Sequence, residues 1–308
     1  MVPDEQPRFS RCSKEDPLQR DSSTFRDGRP LPPAVNFHLW QPCNMRCRGC
    51  FAVFADVRRD VLPAGHLDRA AALRLTRVLA AEFDKITFVG GEPTLCPWLP
   101  ELIDEAAGSG CTTMLVSNGT RLDRDALQRL AGSLGWLALS IDSPSSKTHV
   151  ALGRAIRGRA IPDERYLEII EQARALGIRI KINTVVSRLN AEEDFHELIQ
   201  RAKPERWKVF QVLPVKGQND GTVEPLLVTK AQLNDFVRRH RDLSPVGEDN
   251  DAMRGSYAMV DPAGRFFDNV AGGHSYGAPI LDVGVSTAWR SVSFDLERFM
   301  RRGGVYGW

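Results

Sequence analysis

The chain has no cysteine after Cys111, no long apolar run and almost no excess of either charge. Each absence narrows what it can be. Its 41 basic and 39 acidic residues leave a formal net charge of +2. That is not the bulk basic excess that tracks a nucleic-acid backbone, so nucleic acid is not an expected partner and any anion site must be local. No segment reaches the roughly 20 apolar residues of a membrane-spanning helix, and the N-terminus lacks the apolar core of a secretory signal. A cytoplasmic protein that does not engage a membrane is the expectation. Low-complexity segments and internal repeats beyond a strand–helix alternation are missing too.

What is present is enough for a large core: 308 residues, 42% of them hydrophobic, compatible with one big α/β domain. Residues 1–33 are polar, charged and aperiodic, and read as a loosely ordered tail. From Ala34 onward, short apolar strands alternate with helical patterns, the signature of parallel β/α units. Strands are predicted at 35–40, 85–89, 112–117, 136–141, 178–185 and 206–212. Helices are predicted at 67–83, 98–107, 123–130, 164–176, 192–202 and 230–242. Two helix starts carry capping boxes, Asn190 with Glu193 and Thr229 with Gln232. A hairpin over 256–269 turns at Pro262-Ala263-Gly264. The division expected is a tail (1–33), a β/α unit (34–243) and a C-terminal extension (244–308) that closes the site. Periodicity leaves open whether six parallel strands make an open sheet or an incomplete barrel; both place ligands at strand C-terminal ends.

Cys43, Cys47 and Cys50 sit on one loop directly after the first strand. Three thiolates on a short loop can hold three irons of a cubane and leave the fourth iron open to a chelating ligand. A structural zinc needs a fourth ligand, for which His38, His66 or Cys96 would have to serve. Packing is a poor explanation for three cysteines in a loop that also holds Asn44, Arg46 and Gly49. The C-x3-C-x2-C spacing resembles the radical S-adenosylmethionine superfamily, whose members form a partial (βα)6 barrel. The resemblance implies a 4Fe-4S cluster on the three cysteines, with S-adenosylmethionine chelating its open iron and yielding a 5'-deoxyadenosyl radical on one-electron cleavage. An aromatic often precedes the last cysteine in that superfamily; here Gly49 stands there and Phe51 follows. Gly90-Gly91-Glu92-Pro93 after the second strand resembles the motif that binds the amino group of S-adenosylmethionine. Asn118 after the third strand and Ser140 in the fourth offer polar groups for its ribose or methionine head. The cysteine-free C-terminal third leaves no thiolates for a second cluster.

Strands covered on both faces should be almost continuously apolar. Here Ile178, Ile180 and Ile182 share one face of the fifth strand, while Arg179, Lys181 and Asn183 share the other. Arg206 and Lys208 recur on one side of the sixth, and Lys85 opens the second. Arg179 reads as a strand-end residue snorkelling to solvent. Lys181 and Lys208 do not, because a buried unpaired ammonium costs several kcal/mol and few carboxylates, such as Glu205, are near in sequence. A polyphosphate-binding lumen resolves the conflict.

Segments 35–38, 181–186, 206–211, 256–257, 280–285 and 303–306, with Lys85, are similar to those of the viperin family over roughly residues 35–308. That resemblance implies dehydration of a ribonucleoside triphosphate to its 3'-deoxy-3',4'-didehydro form, a chain terminator used against viruses or phage. Lys85, Lys181, Arg206 and Lys208 would hold the triphosphate, Asn36 and Asn183 the nucleoside, and Arg154 a carboxylate or phosphate. Hydrogen abstraction from ribose C4' and loss of the 3'-hydroxyl as water would leave a radical needing one electron and one proton, for which Tyr257 is the candidate donor. A monomer supplied by a flavodoxin- or ferredoxin-type electron donor is expected. CTP, UTP and GTP remain open, and a nucleotide sugar is the alternative substrate.

Overall fold

In the computed structural model, which describes residues 31–308, ten strands form one sheet in the order β10-β9-β8-β1-β2-β3-β4-β5-β6-β7. The expected tail lies almost entirely outside the described residues, as does Cys12. The parallel strands are β1 (Ala34–Trp40), β2 (Lys85–Gly90), β3 (Thr112–Ser117), β4 (Trp136–Ser140), β5 (Arg179–Val186), β6 (Arg206–Gln211) and β7 (Val246–Glu248). β8 (Met259–Val260) pairs parallel to β1 and antiparallel to β9 (Arg265–Asp268), which pairs with β10 (Ser275–Pro279). The sheet does not close on itself, since β7 and β10 are its edges. It is the partial barrel that the family resemblance implied.

Strand alternation sorts the side chains. Val35, Phe37, Ile86, Phe88, Leu115, Leu137, Leu139, Ile180, Ile182 and Val209 pack in the main core with Leu75, Leu79, Leu102 and Ile103 of the surrounding helices. Their neighbours Asn36, His38, Lys85, Thr87, Met114, Lys181, Asn183 and Lys208 face a central cavity. Each buried Leu or Ile of the outer layer contributes on the order of 1.5–3 kcal/mol. The polar inner layer therefore exists at the expense of core, which is the usual mark of a ligand site.

All six expected strands form, each bound within a residue or so, and the hairpin turns where expected, with Gly264 at φ 76°. The Thr229–Gln232 capping box opens the helix Lys230–Arg239. The other capping box is a correction: the helix there starts only at His196. Asn190 instead accepts from Ser187 N and donates to the carbonyls of Val185 and Asp142. Glu193 accepts from Ser143 and Thr148. Buried and satisfied at a strand end, the Asn190 amide closes more backbone groups than one cap could. The edge strands β7 and β10 were not anticipated, being too short or too exposed for periodicity to mark. Among the described residues, no helix is long and apolar enough to cross a membrane.

Candidate active site

A cavity of about 760 Å³ opens at the C-terminal ends of the parallel strands and runs down the lumen. Of the expected site residues it is lined by Asn36, Cys43, Cys47, Cys50, Phe51, Lys85, Gly90, Gly91, Glu92, Asn118, Ser140, Arg154, Lys181, Asn183, Lys208 and Tyr257. Pro93 and Arg206 lie outside its lining. Pro93 opens the 3-10 turn Pro93–Leu95. Arg206 donates to Gly303 O at 3.0 Å and stacks 4.0 Å from the Tyr306 ring centroid.

The cysteine loop is held by backbone contacts that only small residues permit. Gly91 N donates to Trp40 O, and Glu92 N to Pro42 O. A Cβ on Gly91 would meet Gln41 O at 2.2 Å. On the other side, Arg46 N and Arg48 N donate to the carbonyls of Gly153 and Leu152. Gly153 has φ +77°, and its Cβ would meet Arg46 O at 2.1 Å. Gly153→Ala should therefore cost about 1–3 kcal/mol and loosen the loop, read as a lower unfolding midpoint together with less iron per chain after anaerobic reconstitution. Asn44 ties the loop to β3, donating to Thr120 Oγ1 at 2.8 Å and accepting from Asn118 Nδ2 at 2.9 Å.

Among the described residues, the three sulfurs are not gathered within 4.8 Å of one another, as ligands of a single zinc would be. The candidate fourth ligands are occupied elsewhere: His66 stacks on Trp40, Cys96 is in the main core, and His38 sits among Phe51, Phe54 and Phe267. Burial raises all three thiols, Cys47 to about 12. Thiolates at these positions thus need a strong local cation, the role that iron would fill. Arg154 adds to it, 3.8 Å from Cys47 Sγ, while paired with Asp142 at 3.1 Å and donating to Ser140 O at 2.7 Å. Three thiols on one loop at the cavity wall, with a guanidinium beside one of them, fit a 4Fe-4S cluster.

Glu92 is buried and accepts from Ser117 Oγ, Thr94 and the Asn118 amide at 2.6–3.1 Å. Burial raises its carboxyl, and those donors pull it back. A fixed, buried carboxylate at the cavity wall beside the cysteine loop suits an ammonium group.

Deeper in the lumen the walls are cationic. Lys85 donates to Tyr306 OH at 2.8 Å and lies over the Tyr306 and Trp308 rings. Burial and then Lys208 and Arg206 drive its ammonium well below the ordinary lysine range. Lys181 has no hydrogen-bond or ion-pair partner among the described residues, and burial, Lys208 and Lys85 depress it likewise. Asn183 Oδ1 is buried without a partner. Arg179, at the start of β5, is half-buried rather than projecting to solvent, stacking on Trp136 and donating to Gly307 O at 3.0 Å.

Lys208 is a correction. It is not unpaired but forms a buried ion pair with Glu248, which also accepts from Tyr257 OH and from Arg302 Nη1 at 3.3 Å. Burial alone would raise Glu248, but Lys208 and Arg302 outweigh it and hold the carboxyl below its usual range. Burial brings Lys208 down to about 8 despite that partner. Glu205, the carboxylate considered from sequence, instead accepts from Ile180 N at 2.8 Å. Glu248 and Arg302 escaped sequence reasoning because they lie 40 and 94 positions from Lys208. Only the demand of Lys208 for a counter-charge pointed to them.

An open β/α barrel with a three-cysteine loop over a cation-lined lumen defines a class, iron–sulfur enzymes that cleave S-adenosylmethionine. The family model "Radical SAM superfamily" matches residues 40–202. A relative from Flammeovirga pacifica, "S-adenosylmethionine-dependent nucleotide dehydratase", is 47% identical over 284 residues, covering 91% of this chain and 98% of its own. One of the same name from Lacinutrix mariniflava is 48% identical over 90% of this chain, which spans 59% of that longer relative. Streptococcus suis SuiB bound to S-adenosylmethionine shares the fold, with a TM-score of 0.63 at 15% identity, covering 89% of this chain and 67% of SuiB. The chain belongs to the radical SAM superfamily and, within it, to the S-adenosylmethionine-dependent nucleotide dehydratases.

Proposed function

We propose that this protein dehydrates a ribonucleoside triphosphate (CTP, UTP or GTP) to its 3'-deoxy-3',4'-didehydro form, as an antiviral or antiphage product. The observation that carries this reading is the run of cations beneath the cysteine loop in a single cavity, with Lys181 making no ion pair or hydrogen bond among the described residues. When bound, the cluster and S-adenosylmethionine supply a carbon radical able to take hydrogen from ribose C4'.

The chain's own groups do the rest. Glu92, Asn118, Ser140 and Arg154, with the Gly90-Gly91 backbone and Phe51, bind S-adenosylmethionine. Lys85, Lys181 and Lys208 would hold the phosphates, with Arg206 behind them, leaving the ribose on the side of the cysteine loop that would carry the cluster. Asn36 and Asn183 orient the nucleoside, the latter with its unsatisfied amide oxygen. Tyr257 supplies from its phenol O–H the electron that completes the 3',4' double bond and the proton that lets the 3'-hydroxyl leave as water, and the tyrosyl radical left behind is reset by a proton from water and an electron from a low-potential flavodoxin- or ferredoxin-type donor. Residues 244–308 close the site over the substrate.

The test is anaerobic incubation of reconstituted protein, reductant and S-adenosylmethionine with each triphosphate, scoring a product lighter by one water. Deoxyadenosine formed with a nucleotide sugar but with no free triphosphate would replace this substrate by that one. Tyr257→Phe should keep deoxyadenosine formation while lowering dehydrated product roughly tenfold or more. An unchanged yield removes Tyr257 from the reaction.

A further inference from the structure

Glu248 is a carboxylate set among the lumen's cations, and it is fully buried. One of its oxygens takes Lys208 and Arg302, and the other takes the Tyr257 hydroxyl. Arg302 lies over the Tyr257 ring, its guanidinium carbon 3.6 Å from the centroid. It also donates to Ser256 O at 2.8 Å. Two cations and one phenol that line the cavity thus converge on a single anion buried directly behind them.

A buried ion pair recovers little net stability, because desolvating both charges offsets their attraction. An apolar pair would hold β6 to β7 at least as well, so fold stability is a weak reason for this arrangement. A ligand supplies a stronger one. Lys208 and Arg302 both line the cavity with Lys85 and Lys181, and a polyanion entering there competes with Glu248 for them.

Resting on the triphosphate reading above, we infer that Glu248 is a positioning residue with two linked tasks. It is the internal anion that stands in for the polyphosphate at Lys208 and Arg302 in the empty site, and it is the acceptor that orients the Tyr257 phenol. No bond is made or broken at Glu248. When phosphates draw the two cations toward themselves, the carboxylate loses its competing partners and holds the phenol more firmly. Substrate arrival is thereby coupled to readiness of the last hydrogen donor.

The arrangement separates binding from turnover in opposite directions. Removing the charge of Glu248 frees two cations and deletes a repulsion, so polyphosphate binds more tightly. The same change leaves the phenol without its anionic acceptor, so the substrate radical is quenched less efficiently. A residue that merely supported the fold would weaken both.

The experiment uses the anaerobically reconstituted full chain and its Glu248→Gln variant. Calorimetry with inorganic tripolyphosphate reads the first task. The ratio of deoxyadenosine to dehydrated nucleotide, with whichever triphosphate the wild type turns over, reads the second. The expected result is tripolyphosphate binding roughly fivefold tighter and a ratio raised by about fivefold or more. Either quantity remaining at its wild-type value overturns the inference. Wild-type protein that binds no tripolyphosphate overturns the polyphosphate reading itself, a separate failure visible before any variant is made. If Glu248→Gln does not accumulate folded, the paired Lys208→Met/Glu248→Gln variant removes both buried charges together. A wild-type product ratio in that protein is equally fatal.

Discussion

Replacing Cys50 by serine should yield a colourless protein that cannot cleave S-adenosylmethionine. Cys50 lies at the cavity wall at the end of the cysteine loop, and burial raises its thiol. Its sulfur is therefore a poor thiolate unless a metal holds it, and a serine oxygen is a harder, weaker ligand for the same iron. With only two cysteines left the cluster loses a corner. Deoxyadenosine formation should fall by at least ~1,000-fold, because no protein group replaces the electron-transfer centre. Iron and sulfide analysis, the brown absorbance and deoxyadenosine by chromatography check this against an unchanged far-ultraviolet spectrum. A variant that keeps four irons and cleaves at the wild-type rate would falsify the ligand assignment. Serine at Cys96 or Cys111 should leave iron content intact, since both are buried core residues away from the loop.

Lys181→Met should weaken nucleotide affinity by about 10- to 100-fold, the loss of one charge-assisted contact, and at the same time raise the stability of the empty protein. An ammonium among Lys85, Lys208 and Arg206 without a carboxylate of its own is a defect of the free state, and a thioether of similar length removes it. The midpoint of thermal unfolding should rise by about 2 °C or more per kcal/mol gained. The sign of the pH dependence follows from the same cluster. Lys85, Lys181 and Lys208 all lie below the ordinary lysine value in the fold, Lys208 at about 8, whereas the unfolded chain keeps them near 10.4. Between those limits the unfolded state binds more protons, so stability from these groups rises with pH and is flat below the folded values. Lys181→Met should remove part of that rise. Bound phosphates restore the ammonium forms, so triphosphate binding near pH 8–9 should take up protons. Calorimetry in two buffers of different ionisation heat detects the uptake. Binding without proton exchange, or a variant no more stable than wild type, would contradict a Lys181 held without an ion-pair partner.

Much of the site was legible in the chain because its signals are local. Cys43, Cys47 and Cys50 occupy one loop, and the Gly90-Gly91-Glu92 turn follows one strand. The cationic stripe was visible because strand geometry fixes which residues share a face: Lys181 beside Ile180 and Ile182 is a contradiction within a single strand. The Asn190 cap failed for the opposite reason. A capping box is a local preference worth about 1 kcal/mol, and a buried asparagine within reach of the Val185 and Asp142 carbonyls has more bonds to make elsewhere.

The sequence by itself determined the order of β/α units, the thiol set and the excess of positive charge on the inner faces, since periodicity, spacing and residue type are properties of neighbours along the chain. Only the tertiary structure decided how that charge is balanced. Glu248 reaches Lys208 of β6 from the neighbouring β7, Arg302 arrives from the C-terminal end, and Tyr306 covers Lys85 and Arg206. Electrostatic partnership depends on distance in space, and residues far apart in the chain become neighbours only when the sheet brings its edges and its C-terminal segment to one lumen.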